Sequence, residues 1–231
     1  KSLTGAAVKG GNWELEVSTG QTKPSLALQV EAMASYHDTL NLQFEWAKQF
    51  GSNLHEMVSG IMTDSSGNYL VTGNFYGNID IDGDGNNDLT AGNKRDGFVA
   101  KFDSDGQLVW AKNIGPGYFD TSRTITIDSS DNVLVGGRFN SSIDIDGDGN
   151  NDLTSNGGKD GYVSKLDSDG NLVWDKQVGG SQDDEVNSVT IDSSDNVLVG
   201  GNFHGNIDID SDGNNDLTSN GGKDGYVSKL D

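Results

Sequence analysis

The chain of 231 residues contains no cysteine. That excludes a disulfide framework and Cys-based zinc sites, though it does not fix the compartment. Basic residues are scarce, 15 against 36 acidic ones, and the formal net charge is −21 with a pI near 4.1. A surface of that sign repels nucleic acid and anionic membranes, so neither is expected as a partner. No apolar run approaches the roughly 20 residues that a membrane-spanning helix needs, so membrane insertion is not expected either. The three histidines, His37, His55 and His204, share no position in any repeat and suggest neither a zinc site nor a catalytic base. The sequence opens at Lys1 with no Met or signal peptide and ends at Asp231 inside a recurring motif, which reads as a piece of a longer protein.

What the chain has instead is an acidic nonamer that occurs three times: Asp80-Ile81-Asp82-Gly83-Asp84-Gly85-Asn86-Asn87-Asp88, then 144–152 and 208–216, at a spacing of 64 residues. Carboxylates at positions 1, 3, 5 and 9, with Gly at 6, suit a short loop that wraps a hard, oxygen-seeking cation. The candidate ligands are the carboxylates of Asp80, Asp82, Asp84 and Asp88, with the main-chain carbonyl of Asn86 at position 7. The second loop offers Asp144, Asp146, Asp148, Asn150 and Asp152, and the third Asp208, Asp210, Asp212, Asn214 and Asp216. An EF-hand would place an acid at position 12, where this chain has Ala91, Ser155 and Ser219, so the loop is not an EF-hand. Two carboxylates about 4 Å apart repel by roughly 4 kcal/mol at an effective dielectric near 20, so several such pairs would splay the loop unless a cation sat among them. The expected cofactor is Ca²⁺, about three ions per chain; Mg²⁺ prefers fewer protein ligands and retained water. Low hydrophobicity with high charge is otherwise a signature of disorder. Here apolar, strand-like runs separate the acidic loops, and three Ca²⁺ ions would cut the charge to −15.

The 64-residue period extends well beyond the loops. It relates Trp46, Trp110 and Trp174; Glu56, Asp120 and Asp184; Asp64, Asp128 and Asp192; and Asp96, Asp160 and Asp224. Residues 128–167 and 192–231 differ at five of forty positions, which points to recent duplication. Each unit contains four strand candidates separated by turn chemistry. The first is Glu56–Thr63 with its counterparts Asp120–Ile127 and Asp184–Ile191, followed by an Asp-Ser-Ser-Gly/Asp-Asn turn. The second is Tyr69–Phe75, Val133–Phe139 and Val197–Phe203, and the acidic loop follows it. The third is Gly97–Phe102, Gly161–Leu166 and Gly225–Leu230, which an Asp-Ser-Asp-Gly turn (103–106, 167–170) joins to the Trp-bearing fourth strand, Leu108–Asn113 and Leu172–Gln177. Four antiparallel strands per repeat with Gly-rich turns is the pattern of a β-propeller blade, so the expected fold is all-β, three blades over 44–231. The chain enters the repeats on a fourth-type strand, Leu42–Phe50, and leaves on a third-type strand, Gly225–Leu230, and those two would pair if the first and last blades met. Closed propellers use about four to eight blades. Further repeats, association of copies through the unpaired terminal blades, or an open array are the alternatives. Residues 1–43 lack the period and read as a short α+β remnant of an upstream domain, with a strand pair around Leu3–Val8 and Gly11–Val17 and a helix over Ser25–Leu40.

The run Asp160-Gly-Tyr-Val-Ser-Lys-Leu-Asp-Ser-Asp-Gly-Asn-Leu-Val-Trp174, together with Gly179–Asp184 and Asp192–Gly201, resembles the bacterial SBBP repeat of the seven-bladed propeller type. The resemblance spans essentially all of 44–231 and implies a propeller in large secreted or surface bacterial proteins. The acidic loop departs from the common form of that repeat; its spacing is similar to the β-hairpin calcium loops of integrin α-subunit propellers, which use an acid at position 9. Residues 1–43 resemble the tail of a domain of unknown function, DUF4347, found near the start of large cyanobacterial surface proteins.

The functional expectation is a non-enzymatic, calcium-stabilised scaffold or adhesion module, extracellular or on the bacterial cell surface, with no catalytic residues. The alternatives are metal-dependent recognition of a protein or glycan on the calcium-loop face, and a fragment of a propeller-based polysaccharide-degrading enzyme. Trp46, Trp110 and Trp174 lie in apolar Leu-Val-Trp-like runs and are assigned to packing between blades in preference to a sugar platform. Lys101, Lys165 and Lys229 are expected to face outward, pairing with a neighbouring acid.

Overall fold

A computed structural model describes residues 46–49, 51–115, 117 and 119–230. The chain divides into two units, Lys1–Trp46 and Ala47–Asp231. The strand pair and helix expected within 1–43 lie outside the described residues, as do the ends of the strand expected at Leu42–Phe50, whose described part, 46–49, carries no strand.

In the second unit β1 (Met57–Thr63), β2 (Tyr69–Ile79), β3 (Leu89–Phe102) and β4 (Leu108–Ile114) form one antiparallel sheet in chain order. The next repeat supplies β5 (Thr121–Ile127), β6 (Val133–Ile143), β7 (Leu153–Leu166) and β8 (Leu172–Gly180). The third supplies β9 (Glu185–Ile191), β10 (Val197–Asp208) and β11 (Leu217–Leu230). Each repeat is a ladder of consecutive antiparallel hairpins, four strands in the first two and three in the last, as the blade pattern predicts. The end of β10, beyond its pairing with β9, meets β8 through two residue pairs, Ile207↔Gly180 and Asp208↔Gly179, which joins the second and third repeats into one seven-stranded sheet. Among the described residues β11 pairs only with β10.

The middle strands are longer than expected. β2 runs to Ile79 instead of Phe75, and β3 begins at Leu89 instead of Gly97. Pairing proceeds through Phe75↔Asp96 and Tyr76↔Arg95, breaks at a bulge, and resumes at Asn78↔Thr90 and Ile79↔Leu89. The same interruption recurs in the other two blades. The extension is polar and bulged, so it lacks the two-residue apolar alternation by which a strand is read. Its consequence is that each acidic nonamer is the tip of a long β2–β3-type hairpin.

One core cluster is formed by first-blade residues alone, among them Val71, Phe75, Phe98 and Phe102; two others lie between blades. Leu70, Val99 and Ile114 of the first blade pack with Ile125, Val133, Val135 and Phe139 of the second. Leu134, Val163 and Val178 of the second pack with Val186, Val189 and Val199 of the third. Neighbouring residues of one strand therefore serve opposite interfaces, which is why these strands are apolar on both faces. Each blade carries an edge-to-face aromatic pair, with ring centroids 6.2 Å apart in Phe75–Phe98, 6.4 Å in Phe139–Tyr162 and 6.2 Å in Phe203–Tyr226. Trp110 packs against the first of the inter-blade cores and donates its indole N–H to the Ser168 carbonyl of the next blade at 3.2 Å, as inter-blade packing requires. The outer face of the third blade is uncovered: Val227 is 81% exposed where its counterparts Val99 and Val163 are fully buried.

Gly73, Gly137 and Gly201 sit where the first two strands of each blade approach most closely. A Cβ on Gly137 would overlap the Thr121 carbonyl oxygen and crowd the Tyr162 ring. Gly137→Ala is expected to cost about 3 kcal/mol through forced separation of β5 and β6. The readout is a lowered urea midpoint at unchanged m value; a loss well under 1 kcal/mol would mean that the strands part without strain.

Candidate metal centres

Each nonamer gathers three of its carboxylates. Oxygens of Asp80, Asp82 and Asp88 all lie within 4.8 Å of one another, as do those of Asp144, Asp146 and Asp152, and of Asp208, Asp210 and Asp216. Oxygens at that separation can share one Ca²⁺, whose ligands stand about 2.3–2.6 Å from the ion. At 4.8 Å a pair of carboxylates still repels by about 3.5 kcal/mol at an effective dielectric of 20. The donor set therefore fits a hard divalent cation.

The loop backbone shapes the cluster. In the first loop Asp80 accepts hydrogen bonds from Gly83 N at 2.7 Å and Gly85 N at 2.9 Å, and Asp88 accepts from Ile81 N at 2.6 Å. Gly85 has φ +93°, with Gly149 and Gly213 at +90° and +88°, a left-handed conformation that Gly adopts without a Cβ penalty. The position-5 acids stand outside the triads. Asp84 accepts from Asn86 N at 2.7 Å and Asn86 Nδ2 at 2.9 Å, and Asp148 is bound likewise by Asn150. Asp212 accepts from Asn214 N at 2.7 Å. The amide side chains of Asn86, Asn150 and Asn214 hold these three carboxyls below the usual carboxylate range. The sequence pattern counted positions 1, 3, 5 and 9 alike; the fold brings together 1, 3 and 9.

Every loop is also tied to the preceding strand-four segment. Lys112 Nζ donates to the Asp146 carbonyl at 3.1 Å, Lys48 Nζ to the Asp82 carbonyl at 3.5 Å, and Lys176 Nζ to the Asp210 carbonyl. Gly51 bridges Asp80, Gly115 N donates to Asp144 O at 3.4 Å, and Gly179 pairs with Asp208. A loop that reads as a local motif is in fact seated at a blade junction. The 64-residue recurrence of Lys48, Lys112 and Lys176 was the available signal, but nothing in the sequence says what the ammonium touches. The second loop differs from the first in having Asp175 nearby, where the first blade has Ala111. Burial raises the Asp175 carboxyl above the usual range, and the charges of Asp152 and Asp146 add to the rise.

Two further sets of repeated acids have distinct roles. Asp64 and Asp128 pair with Lys101 at 3.0 Å and Lys165 at 2.6 Å, and Asp192 pairs with Lys229 at 3.1 Å. The expected acid partners are thus the turn aspartates of the same blade, although Lys101 is buried, not outward-facing. Burial opposes ionisation of Asp64 and Asp128, but the hydrogen bonds from Asn68 or Asn132 and from the lysines prevail and hold both at about 2.

The other set is fully buried: Asp96, Asp120, Asp160 and Asp184. Asp120 accepts from Asn140 N at 2.9 Å and Gly117 N at 3.0 Å, and Asp184 from His204 N at 2.9 Å and Gly180 N at 2.8 Å. Desolvation pushes Asp120 up to about 7, with the charge of Asp96 adding to it, and Asp160 up to about 6, with Asp184 and Asp183 adding. The sequence showed these positions to be periodic without revealing that they meet across blade junctions.

Residues 173–208 match the SBBP family, described as a beta-propeller repeat, and residues 1–40 match DUF4347, a domain of unknown function. The chain is also similar to the uncharacterized WD repeat-containing protein L264 of Acanthamoeba polyphaga mimivirus, at 27% identity over 131 residues. That alignment covers 50% of this chain but only 9% of the viral protein. The matched SBBP segment spans β8, β9 and β10, where the second of the 64-residue repeats passes into the third; residues 173–208 are a β-propeller repeat of the SBBP type, set among repeats of the same all-β blade architecture.

Proposed function

We propose that this chain is a non-enzymatic, calcium-stabilised scaffold or adhesion module of a large secreted or surface-attached bacterial protein, with one Ca²⁺ in each nonamer. The observation that carries this reading is the threefold carboxylate triad, each copy lashed to the strand-four segment before its blade. An ion at that place would remove the repulsion within the loop and stiffen the joint between blades at once. Extracellular calcium modules bind in about the 10⁻⁴–10⁻³ M range. Such sites fill in a millimolar-calcium medium and stay empty in a cytosol, so calcium would favour the folded form after export.

Calorimetric titration of the chelated chain is expected to give three sites, matching the three triads. Asp144→Asn should remove one site and lower the melting temperature in saturating calcium. No calcium binding above background would end this reading. Loss of a site with no loss of stability would instead favour metal-dependent recognition of a protein or glycan on the loop face.

A further inference from the structure

All three arginines of this strongly acidic chain, Arg95, Arg123 and Arg138, come together at the junction of the second and third blades with the first. Two of them break the repeat. The counterparts of Arg123 are Ser59 and Asn187, and those of Arg138 are Asn74 and Asn202. Arg138 is also one of the five differences between 128–167 and 192–231, and four of those five fall within 138–142. In a pair of nearly identical repeats, change has thus concentrated on one strand end.

One carboxylate serves the cluster directly. Glu185 pairs with Arg138 Nη1, with Arg123 Nη2 at 3.4 Å and with Lys223 Nζ at 3.8 Å. Arg123 Nη1 also donates to Asn187 Oδ1 at 3.1 Å, and Arg95 forms no ion pair among the described residues. Asp183 lies near Lys159, Lys223 and Arg138, but its carboxylate is engaged by the Lys159 main-chain N–H at 3.0 Å. The Nε–H groups of all three arginines are buried without a partner. Those atoms are shut away from solvent, so a ligand would meet the terminal guanidinium nitrogens. Arg123 remains 34% exposed in its side chain and Arg138 19%, so such a ligand has access. The Arg123 guanidinium is depressed first by burial, while Glu185 supports its charge and Arg138 and Arg95 work against it.

We infer that Arg123 and Arg138, with Arg95 beside them, form a binding site for an oxyanion, a sulfate or carboxylate group, oriented by Glu185. Planar guanidinium forks match that geometry with paired, charge-assisted hydrogen bonds. Glu185 holds two forks in place while leaving the local charge positive enough to draw an anion to a chain that elsewhere repels it. The group is carried either by a free ion or by an acidic oligosaccharide.

The test is calorimetry on the calcium-loaded chain at constant ionic strength, with sodium sulfate, a short oligouronate and sodium chloride as separate titrants. Sulfate or uronate is expected to bind and chloride not; tighter binding of the oligouronate assigns the site to a polymer, and equal or tighter binding of sulfate to a free ion. Arg123→Asn and Arg138→Asn install the residues that the third blade carries at the same positions, so both should fold. Each is expected to weaken binding about tenfold or more, from loss of charge-assisted hydrogen bonds. Lys229→Gln, on β11 and paired with Asp192, should leave binding unchanged. Equal weak heats from all three titrants, wild-type affinity in both arginine variants, or an equal loss in the lysine variant would overturn the assignment.

Discussion

Chelation with EDTA is expected to lower the melting temperature by on the order of 15 °C relative to the chain in about 10 mM calcium. Each site that binds only the folded chain stabilises it by RT ln(1 + [Ca²⁺]/Kd), about 1.4–2.7 kcal/mol when calcium exceeds Kd by ten- to a hundredfold. Three sites together contribute roughly 4–8 kcal/mol, against a total stability of about 5–15 kcal/mol for an ordinary domain. For a domain of this size each kcal/mol moves the midpoint by about 2–4 °C. The contacts that close the loops do not neutralise their carboxylates: the lysines bond to main-chain carbonyls. The carboxylates accept main-chain N–H groups, but the triad oxygens still crowd within 4.8 Å of each other. The measurement is a thermal melt across a calcium series, with magnesium at equal ionic strength as the control. A melting curve that does not move with calcium would mean that the nonamers are stable acidic turns in their own right. The blade stack would then rest on apolar packing and on the direct polar contacts between blades.

In saturating calcium, stability is expected to fall as pH rises from 5 to 8, by on the order of 3 kcal/mol in all. The cause is the set of buried carboxyls at the blade junctions. Unfolded aspartates ionise near pH 4, whereas Asp120 is raised to about 7 and Asp160 to about 6 in the folded chain. Between those limits the folded state holds more protons than the unfolded state, so the slope of stability against pH is negative. Asp96 faces Asp120, and Asp183 and Asp184 face Asp160, with Lys159 and Lys223 beside Asp183. The ion-paired turns act in the opposite sense. Asp64 and Asp128, held at about 2, contribute stability above pH 4 that disappears as pH falls toward 2. Maximum stability is therefore expected near pH 4–5. Urea midpoints taken from pH 5 to 8 measure the descending limb, and Asp120→Asn should flatten it by about half or more. The slope is the informative quantity, because Asn also disturbs the Gly117 N–H contact and shifts the absolute stability. An unchanged slope in that variant would place the uptake of protons elsewhere.

Much of the blade was legible because its chemistry is local. The Asp103–Gly106 turn forms as its residues require, with Gly106 at φ +78° and Asp103 accepting from Asp105 N at 3.0 Å. The Trp-bearing fourth strand and the acidic loop likewise follow from residues close in the chain. The candidate ligands were legible as a set, but not their division into a triad and an outlying Asp84, Asp148 or Asp212. That division depends on which carboxylates the loop backbone turns inward.

The repeat length, the all-β blade and the position and carboxylate content of every nonamer were determined by the sequence itself. A period of 64 residues, apolar alternation and turn residues act over a few positions at a time. Only the tertiary structure decided that the nonamers cap hairpins longer than the alternation shows, and that a lysine from the preceding strand-four segment fastens each one. It alone decided that Asp96 and Asp120 meet across a junction, and that Arg95, Arg123 and Arg138 converge. Those are contacts between blades, set by how sheets stack, and residues tens of positions apart carry no local mark of the partner they will face.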